Sequence, residues 1–159
     1  SSTSRGLGDV YKRQPVDYPE RRHCCGFGFR NYLVMANRGF SVANSKKKFE
    51  SMQPYAPDFI VANCPGCAMF LDKWQYTISE MEGTTYGTDG YGIPVLTYEE
   101  LTALILGYDP WEIGLQMHQV AVEPLLDKMG IDYDPEAKYK NSKGISLGEP
   151  TCPTYLKVK

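Results

Sequence analysis

The 159-residue sequence lacks any long hydrophobic run, and this absence already narrows the class of protein. No stretch approaches the roughly 18 consecutive apolar residues of a membrane-spanning helix, so we expect no membrane span. No charged segment followed by an apolar one opens the chain, so we expect no secretory signal. There is no excess of basic residues either: the net charge is −2, and the lack of a basic patch disfavours a nucleic-acid partner.

The cysteines do not form the even, spread-out set that a secreted disulfide framework requires. There are five cysteines. Four of them form two close pairs, Cys24 with Cys25 and Cys64 with Cys67, and the fifth is Cys152. An odd, clustered set is typical of metal ligands or redox groups in a reducing compartment, so we expect a cytoplasmic protein. Cys152 lies apart, in a polar tail, and we predict that it is a free thiol.

Composition and length predict one globular domain with a tail at each end. Hydrophobic residues make up 42% and charged residues 23%, which is ordinary for such a domain. Residues 1–14 have no hydrophobic period and are similar to the translation of a sequencing-library adapter, so we interpret them as an artefact; the alternative is an ordinary disordered tail. The authentic protein would then extend upstream of residue 15. We place the domain at residues 15–131 and a disordered polar tail with little packing at 132–159.

Hydrophobic spacing and turn residues predict alternating helices and short strands between these tails. We predict helices over 29–39, 41–52, 68–81, 98–106 and 122–129, and strands over 58–63 and 93–96. Gly39 is expected to end the first helix, Thr97 to cap the fourth, and Gly130 to end the last. The alternation predicts an α/β fold, a small parallel sheet flanked by helices.

Several side chains have expected places in this fold. One face of the second helix carries Val42, Phe49 and Met52, whereas the run Lys46 to Lys48 is expected on a solvated face. The apolar stripe of the third helix comprises Phe70, Leu71, Trp74, Ile78 and Met81, with Trp74 in the core.

Two cysteine motifs carry the chemistry. The first is His23-Cys24-Cys25-Gly26, and the second is Cys64-Pro65-Gly66-Cys67. Alone, a Cys-x-x-Cys turn fits a zinc half-site, an iron–sulfur half-site or a redox dithiol. The side chains of adjacent cysteines diverge on regular backbone, so both can bind a large multi-atom group more easily than one small ion. This favours an iron–sulfur cluster over a zinc ion. Gly26 would let the backbone approach such a group closely.

The second motif has a predicted position in the fold. Cys64 is expected at the carboxyl end of a strand, where open α/β sheets bind ligands. Cys67 is expected in the first turn of the next helix, where the helix dipole favours a thiolate. Phe27 and Phe29 flank the first motif and would shield the site from water.

The order of these motifs resembles the cysteine-rich CCG domain in the B subunit of heterodisulfide reductase. Besides the cysteines, the segments ANCPGCAMFLDKWQ, GIPVLTYEELTALILGYDPWEIGLQMHQV and VEPLLDKMGI are similar to the carboxyl-terminal half of that protein. The resemblance implies a non-cubane [4Fe–4S] cluster held by Cys24, Cys25, Cys64 and Cys67. It also implies reduction of a small disulfide, CoM-S-S-CoB in methanogenesis or a related one, with a flavin-containing and a ferredoxin-like subunit as electron donors.

The chain departs from the family pattern on its amino-terminal side. The family has two CCG repeats and a further cysteine well before the Cys-Cys pair, and this sequence has none before Cys24. We therefore expect a complete two-cluster site to need more than this chain, which alone would be inactive.

His23 and His118 are the only histidines, and both are candidate catalytic residues. His23 could give a proton to a departing thiolate or donate a hydrogen bond to a cluster sulfide, and the alternative is a partly exposed histidine with no role. His118 lies in a segment that the resemblance covers, and the alternative to a role in the site is a hydrogen-bonded structural histidine. Two other functions remain open: an electron-transfer module without disulfide chemistry, and a structural zinc domain with four cysteine ligands.

Overall fold

The structure, a computed structural model, describes residues 15–28, 34–88, 90 and 92–134. Strands β1 (Ile60–Ala62) and β2 (Val95–Thr97) pair in parallel, with Ala62 opposite Thr97. In this part of the chain there are four α-helices: α1 (Arg38–Met52), α2 (Pro65–Glu82), α3 (Tyr98–Leu106) and α4 (Glu123–Met129). The predicted α/β class, with a small parallel sheet flanked by helices, is confirmed.

Helix α1 corrects one predicted boundary. A 3₁₀ turn over Met35–Asn37 leads into the helix, so Gly39 lies in its first turn and does not end a preceding helix. Gly39 has no positive φ, which a glycine at a helix C-terminus commonly adopts. The predicted helix over 41–52 is confirmed as part of α1; residues 29–33, including Phe29, lie outside the described residues.

Helix α2 joins the two strands and contains the Cys-x-x-Cys turn. It begins at Pro65, before the predicted start, and ends at Gly83 with a φ of 67°. Its predicted apolar stripe is buried at Phe70, Leu71, Trp74 and Ile78. Met81 is 73% exposed, so its assignment to the stripe was wrong: it lies in the last turn, which reaches beyond the core.

The second half of the fold confirms the predicted caps. Thr97 and Glu100 form a reciprocal capping box at the start of α3, with both hydrogen bonds present. Helix α4 begins one residue later than predicted and ends at Gly130. Between them the chain makes a turn and a 3₁₀ helix over Leu115–Met117.

Two apolar clusters fill the interior. The first cluster contains buried side chains of α1 and α2 together with Cys25. The second contains Leu96 of β2 and buried side chains of α3 and α4. Tyr133 packs against the second cluster, and Trp111 Nε1 donates to the Asp134 carbonyl at 2.8 Å. The expectation of little packing after residue 131 was therefore wrong for 132–134.

Residues 1–14 and 135–159, with Cys152, lie outside the described residues. None of the described helices is long and apolar enough to span a membrane.

Candidate functional site

The fold brings the two cysteine motifs together. Cys25 Sγ and Cys67 Sγ, 42 residues apart in sequence, lie 3.0 Å from each other. Cys25 is buried and Cys67 is partly buried, whereas Cys24 and Cys64 are exposed. All four are free thiols. The site is therefore a cysteine cluster with a buried side and an exposed side.

The Cys-x-x-Cys motif lies where the sequence predicts. Strand β1 ends at Ala62, Cys64 is the N-cap of α2, and Cys67 lies in its first turn. The backbone amides of Cys67 and Gly66 lower the pKa of the exposed Cys64 thiol. Burial, together with the neighbouring Cys25 and Cys64, raises the pKa of Cys67 to about 12. The expectation that the helix dipole favours a thiolate at Cys67 was therefore wrong, because burial outweighs it, and Cys64 is the more readily ionised thiol of the pair.

The Cys24–Cys25 loop is held by buried hydroxyls of α1. Ser45 Oγ donates to the Cys25 carbonyl at 2.6 Å, and Ser41 Oγ donates to the Gly26 carbonyl at 2.8 Å. The Gly26 amide in turn donates to Cys24 Sγ at 3.4 Å. The two adjacent side chains differ in burial: Cys24 is exposed to solvent, and Cys25 is buried in the core.

Two glycines allow close approaches at the site. Gly26 has a φ of 89°, and a Cβ there would lie 2.7 Å from the Ser41 carbonyl oxygen. A Cβ at Gly66 would lie 2.6 Å from the ring of Phe27. That ring packs edge-on against Phe70, with centroids 4.8 Å apart. Phe27 therefore covers the Cys-x-x-Cys turn, as predicted, while Gly26 serves the approach of its loop to α1.

Lys48 is a site residue that the sequence reasoning missed. It is buried, and its Nζ donates to main-chain carbonyls of the loop before Cys24. The prediction of a solvated face was therefore wrong for Lys48. Ser41, Ser45 and Lys48 are spaced by four and three residues, which places them on one face of a helix. This periodicity could have predicted that Lys48 lies on the same face as the two serines.

His23 points both ring nitrogens at side chains. Its Nε2 lies 2.8 Å from Asn44 Oδ1, and its Nδ1 lies 3.3 Å from Glu20 Oε2. Glu20 also binds Lys47 at 3.0 Å, and this hydrogen bond helps to lower the pKa of the carboxyl group. The structure therefore places His23 in a polar network beside the cysteine loop, and its catalytic role stays a prediction.

His118 belongs to a second polar group, at the end of β2. Its Nε2 lies 3.2 Å from Glu100 Oε1. Burial lowers the pKa of His118, but Glu100 and Asp72 outweigh it and the net shift is upward. Burial raises the pKa of Asp72, even though its carboxylate accepts two main-chain amides, from Gln119 at 2.7 Å and from residue 120 at 2.9 Å. His118 thus lies beside acidic groups that favour its protonated form.

The donor set fits an iron–sulfur group by its chemistry. Thiolates are the soft ligands that hold such clusters, and the fold brings Cys25 and Cys67 together, with Cys24 and Cys64 exposed beside them in the two motifs. Among the residues that the structure describes, no three His, Cys, Asp or Glu side chains are arranged to hold a single metal ion.

Comparison with known proteins agrees with this cysteine arrangement. Residues 4–72, which include both motifs, match the model of the CCG family, described as a cysteine-rich domain. The resemblance to a cysteine-rich CCG domain that the sequence predicts is therefore confirmed over these residues. The match begins within residues 1–14, so the adapter interpretation and the domain boundaries stay predictions.

Curated relatives are B subunits of heterodisulfide reductases. The chain is 32% identical over 131 residues to the B subunit of the ferredoxin:CoB-CoM heterodisulfide reductase of Methanosarcina mazei, covering 82% of this chain and 38% of the relative. It is 32% identical over 105 residues to the B subunit of the ferredoxin/F(420)H(2)-dependent CoB-CoM heterodisulfide reductase of Methanosarcina acetivorans, covering 66% and 33%. The chain thus spans little more than a third of the length of these relatives.

Proposed function

We propose that this chain is part of an iron–sulfur oxidoreductase subunit that reduces a disulfide, and that the cysteine cluster holds its cofactor. The observation that carries the proposal is the 3.0 Å approach of Cys25 Sγ to Cys67 Sγ, which joins two motifs far apart in sequence. The CCG match and the B-subunit relatives support it. The ligands would be Cys24, Cys25, Cys64 and Cys67, and the cofactor a non-cubane [4Fe–4S] cluster.

Different residues of the cysteine site have different roles in this proposal. When bound, the cluster would supply electrons for disulfide reduction, which takes two electrons and releases two thiolates. Phe27 and the buried Cys25 keep water from the inner side. Gly26 lets their loop lie against α1. Cys24 and Cys64 face solvent, so we place the approach of a small disulfide on their side.

The released thiolates need protons, and we propose His118 as a donor. Parallel pairing puts the ends of β1 and β2 at one edge of the sheet, where Cys64 follows β1 and the Glu100–His118 pair follows β2. The upward shift of the His118 pKa keeps its proton available at higher pH than for an ordinary histidine. His23, directly before Cys24, is our second candidate for the same role.

The substrate and partners follow from the same likeness. We propose a heterodisulfide, CoM-S-S-CoB or a related disulfide, as the substrate. A flavin-containing subunit and a ferredoxin-like subunit would deliver electrons in a cytoplasmic complex. The names of the relatives, which include ferredoxin and the CoB-CoM heterodisulfide, support a complex of this kind.

Anaerobic metal analysis tests the cofactor. After reconstitution with iron and sulfide of a protein that also carries the family's further cysteine before the Cys-Cys pair, we expect about four irons with matching sulfide and an EPR-active state. Cys25→Ser should lower the iron content severalfold, and Cys152→Ser, our matched control outside the motifs, should leave it unchanged. One zinc without sulfide would instead establish the structural zinc domain and overturn the proposal.

A second measurement separates disulfide reduction from simple electron transfer. The assembled complex, with its clusters reduced so that two electrons are available, would be mixed with a heterodisulfide, and both the EPR signal and the released thiol would be followed. Reoxidation with thiol release supports a reductase. A cluster that cycles with an artificial donor but ignores every disulfide, even in the assembled complex, would favour the electron-transfer module.

A further inference from the structure

Lys48 lies on the inner face of α1, under the loop that leads to the cysteine pair. It is 7% exposed. Its Nζ donates to the carbonyls of Glu20 at 2.8 Å, Arg21 at 2.9 Å and His23 at 3.2 Å. These bonds use all three donors of the ammonium group. The His23 carbonyl belongs to the peptide bond that precedes Cys24, so Lys48 acts directly on the backbone of the ligand loop.

Lys48 is the last of three donors on one side of α1. Ser41 binds the Gly26 carbonyl, Ser45 binds the Cys25 carbonyl, and Lys48 binds carbonyls further back in the same loop. Steps of four and three residues keep the donors on one helical face. The cysteine loop therefore lies along α1, and successive turns of the helix hydrogen-bond to successive parts of the loop.

The ammonium also brings a buried charge to the site. Its three acceptors are neutral carbonyls, so they solvate the charge without cancelling it. The Tyr18 ring lies 5.3 Å from Nζ and covers the group further. Away from water, a fixed charge acts on its neighbours more strongly than at the surface. Cys24 and Cys25, which directly follow the carbonyls that Lys48 binds, become anionic when they hold a metal centre.

We propose that Lys48 is a positioning residue of the cysteine centre: it fixes the loop of residues 20–26 and sets a positive charge beside the cluster that these cysteines hold. The effect on the cluster rests on the function proposed above, whereas the effect on the loop does not. Because net charge nearby helps to set the potential of an iron–sulfur cluster, a buried cation should favour the reduced form.

Hydrogen exchange of the cluster-free, fully reduced chain tests the loop. Amides of this loop are hydrogen-bonded, for example His23 N–H to the Glu20 carbonyl at 2.9 Å. We expect Lys48→Met to speed exchange in residues 20–25 at least tenfold. The matched control is Lys46→Met, which removes the same charge from an exposed ion pair with Glu82. Equal exchange in the two variants would overturn the positioning role.

Redox titration of the loaded chain, followed by EPR, tests the charge. At a fixed solution potential, Lys48→Met should lower the reduced-to-oxidised ratio at least threefold, about 28 mV at 59 mV per tenfold change for one electron. Lys48→Arg should restore the ratio to within twofold, and Lys46→Met should not change it. The electrostatic role would be overturned if Lys48→Met changed the reduced-to-oxidised ratio by less than threefold. It would also be overturned if Lys48→Arg changed the ratio as much as Lys48→Met does. If a wild-type protein that also carries the family's further cysteine acquires no cluster, the proposed function and its electrostatic consequence fail together, and hydrogen exchange still decides the positioning role.

Discussion

Replacing Gly26 by alanine should destabilise the fold through the backbone of the cysteine loop. Gly26 has a φ of 89°, in the left-handed region, where an L-residue costs about 1–2 kcal/mol. The added Cβ would lie 2.7 Å from the Ser41 carbonyl oxygen and 3.0 Å from its Cα. These are helix backbone atoms that cannot rotate away, and overpacking of this kind costs about 1–3 kcal/mol. We expect a total loss of about 2–5 kcal/mol in the free energy of unfolding.

Urea denaturation under anaerobic, reducing conditions measures this loss, and a second glycine in the same region supplies the control. Gly39 lies in the first turn of α1, without positive φ, and nothing is within 4 Å of a Cβ placed there. Gly39→Ala should therefore be neutral or should stabilise the fold by about 0.5–1 kcal/mol. The two identical substitutions are thus expected to differ in sign.

The reconstituted protein extends the same test to the site. If the loop must shift to accommodate the added methyl group, then Cys25 moves relative to Cys67, and the iron content should fall in Gly26→Ala but not in Gly39→Ala. A Gly26→Ala chain as stable as wild type, with the same iron content, would refute the claim that this close approach positions the thiols.

Three further predictions concern single contacts. Ser45→Ala leaves the buried Cys25 carbonyl without its 2.6 Å donor and should cost about 1–3 kcal/mol, measured by urea denaturation. Thr97→Ala removes the N-cap of α3 and should cost about 1 kcal/mol; thermal melts that match wild type would contradict the capping box. Burial raises the Glu100 pKa, but His118 outweighs it, so the net pKa falls below the ordinary 4.5, while that of His118 rises above 6.5. Stability from the pair should then be greatest between these values and decline as pH falls through the Glu100 pKa or rises through the His118 pKa. In Glu100→Gln the decline at low pH should disappear, and the decline at high pH should shrink to the part that Asp72 maintains.

The strand–helix–strand unit could be predicted because its signals are local. Proline and glycine bound each element, and Thr97 with Glu100 forms a cap whose partners are three residues apart. The position of Cys64 and Cys67 follows from the same signals, since a strand must end before a helix starts. The predicted bounds of α3 are exact, and so are the predicted ends of α1 and α4, whereas α2 begins three residues before its predicted start.

Errors arose where a residue's environment depends on distant parts of the chain. Three consecutive lysines were interpreted as one surface, but successive helical residues point about 100° apart, so Lys48 can be buried while Lys47 is exposed. Gly39 carries a helix-stop signal that the chain does not use. The 3.0 Å approach of Cys25 and Cys67 also has no local signal; only the resemblance to a family pairs the two motifs.

The distance between the two inner thiols depends on how α1 and α2 pack. Helix α2 fixes Cys67 through its first turn, while α1 fixes Cys25 through hydroxyl contacts with the loop backbone. Trp74 joins the two, because its Nε1 donates at 3.2 Å to Ser41 Oγ, which itself donates to the Gly26 carbonyl. Trp74 is a core residue, as predicted, yet its indole N–H continues a hydrogen-bonded path from α2 to the cysteine loop. Core packing and ligand geometry are therefore one constraint in this fold, and a change in the spacing of the helices must change the spacing of the thiols.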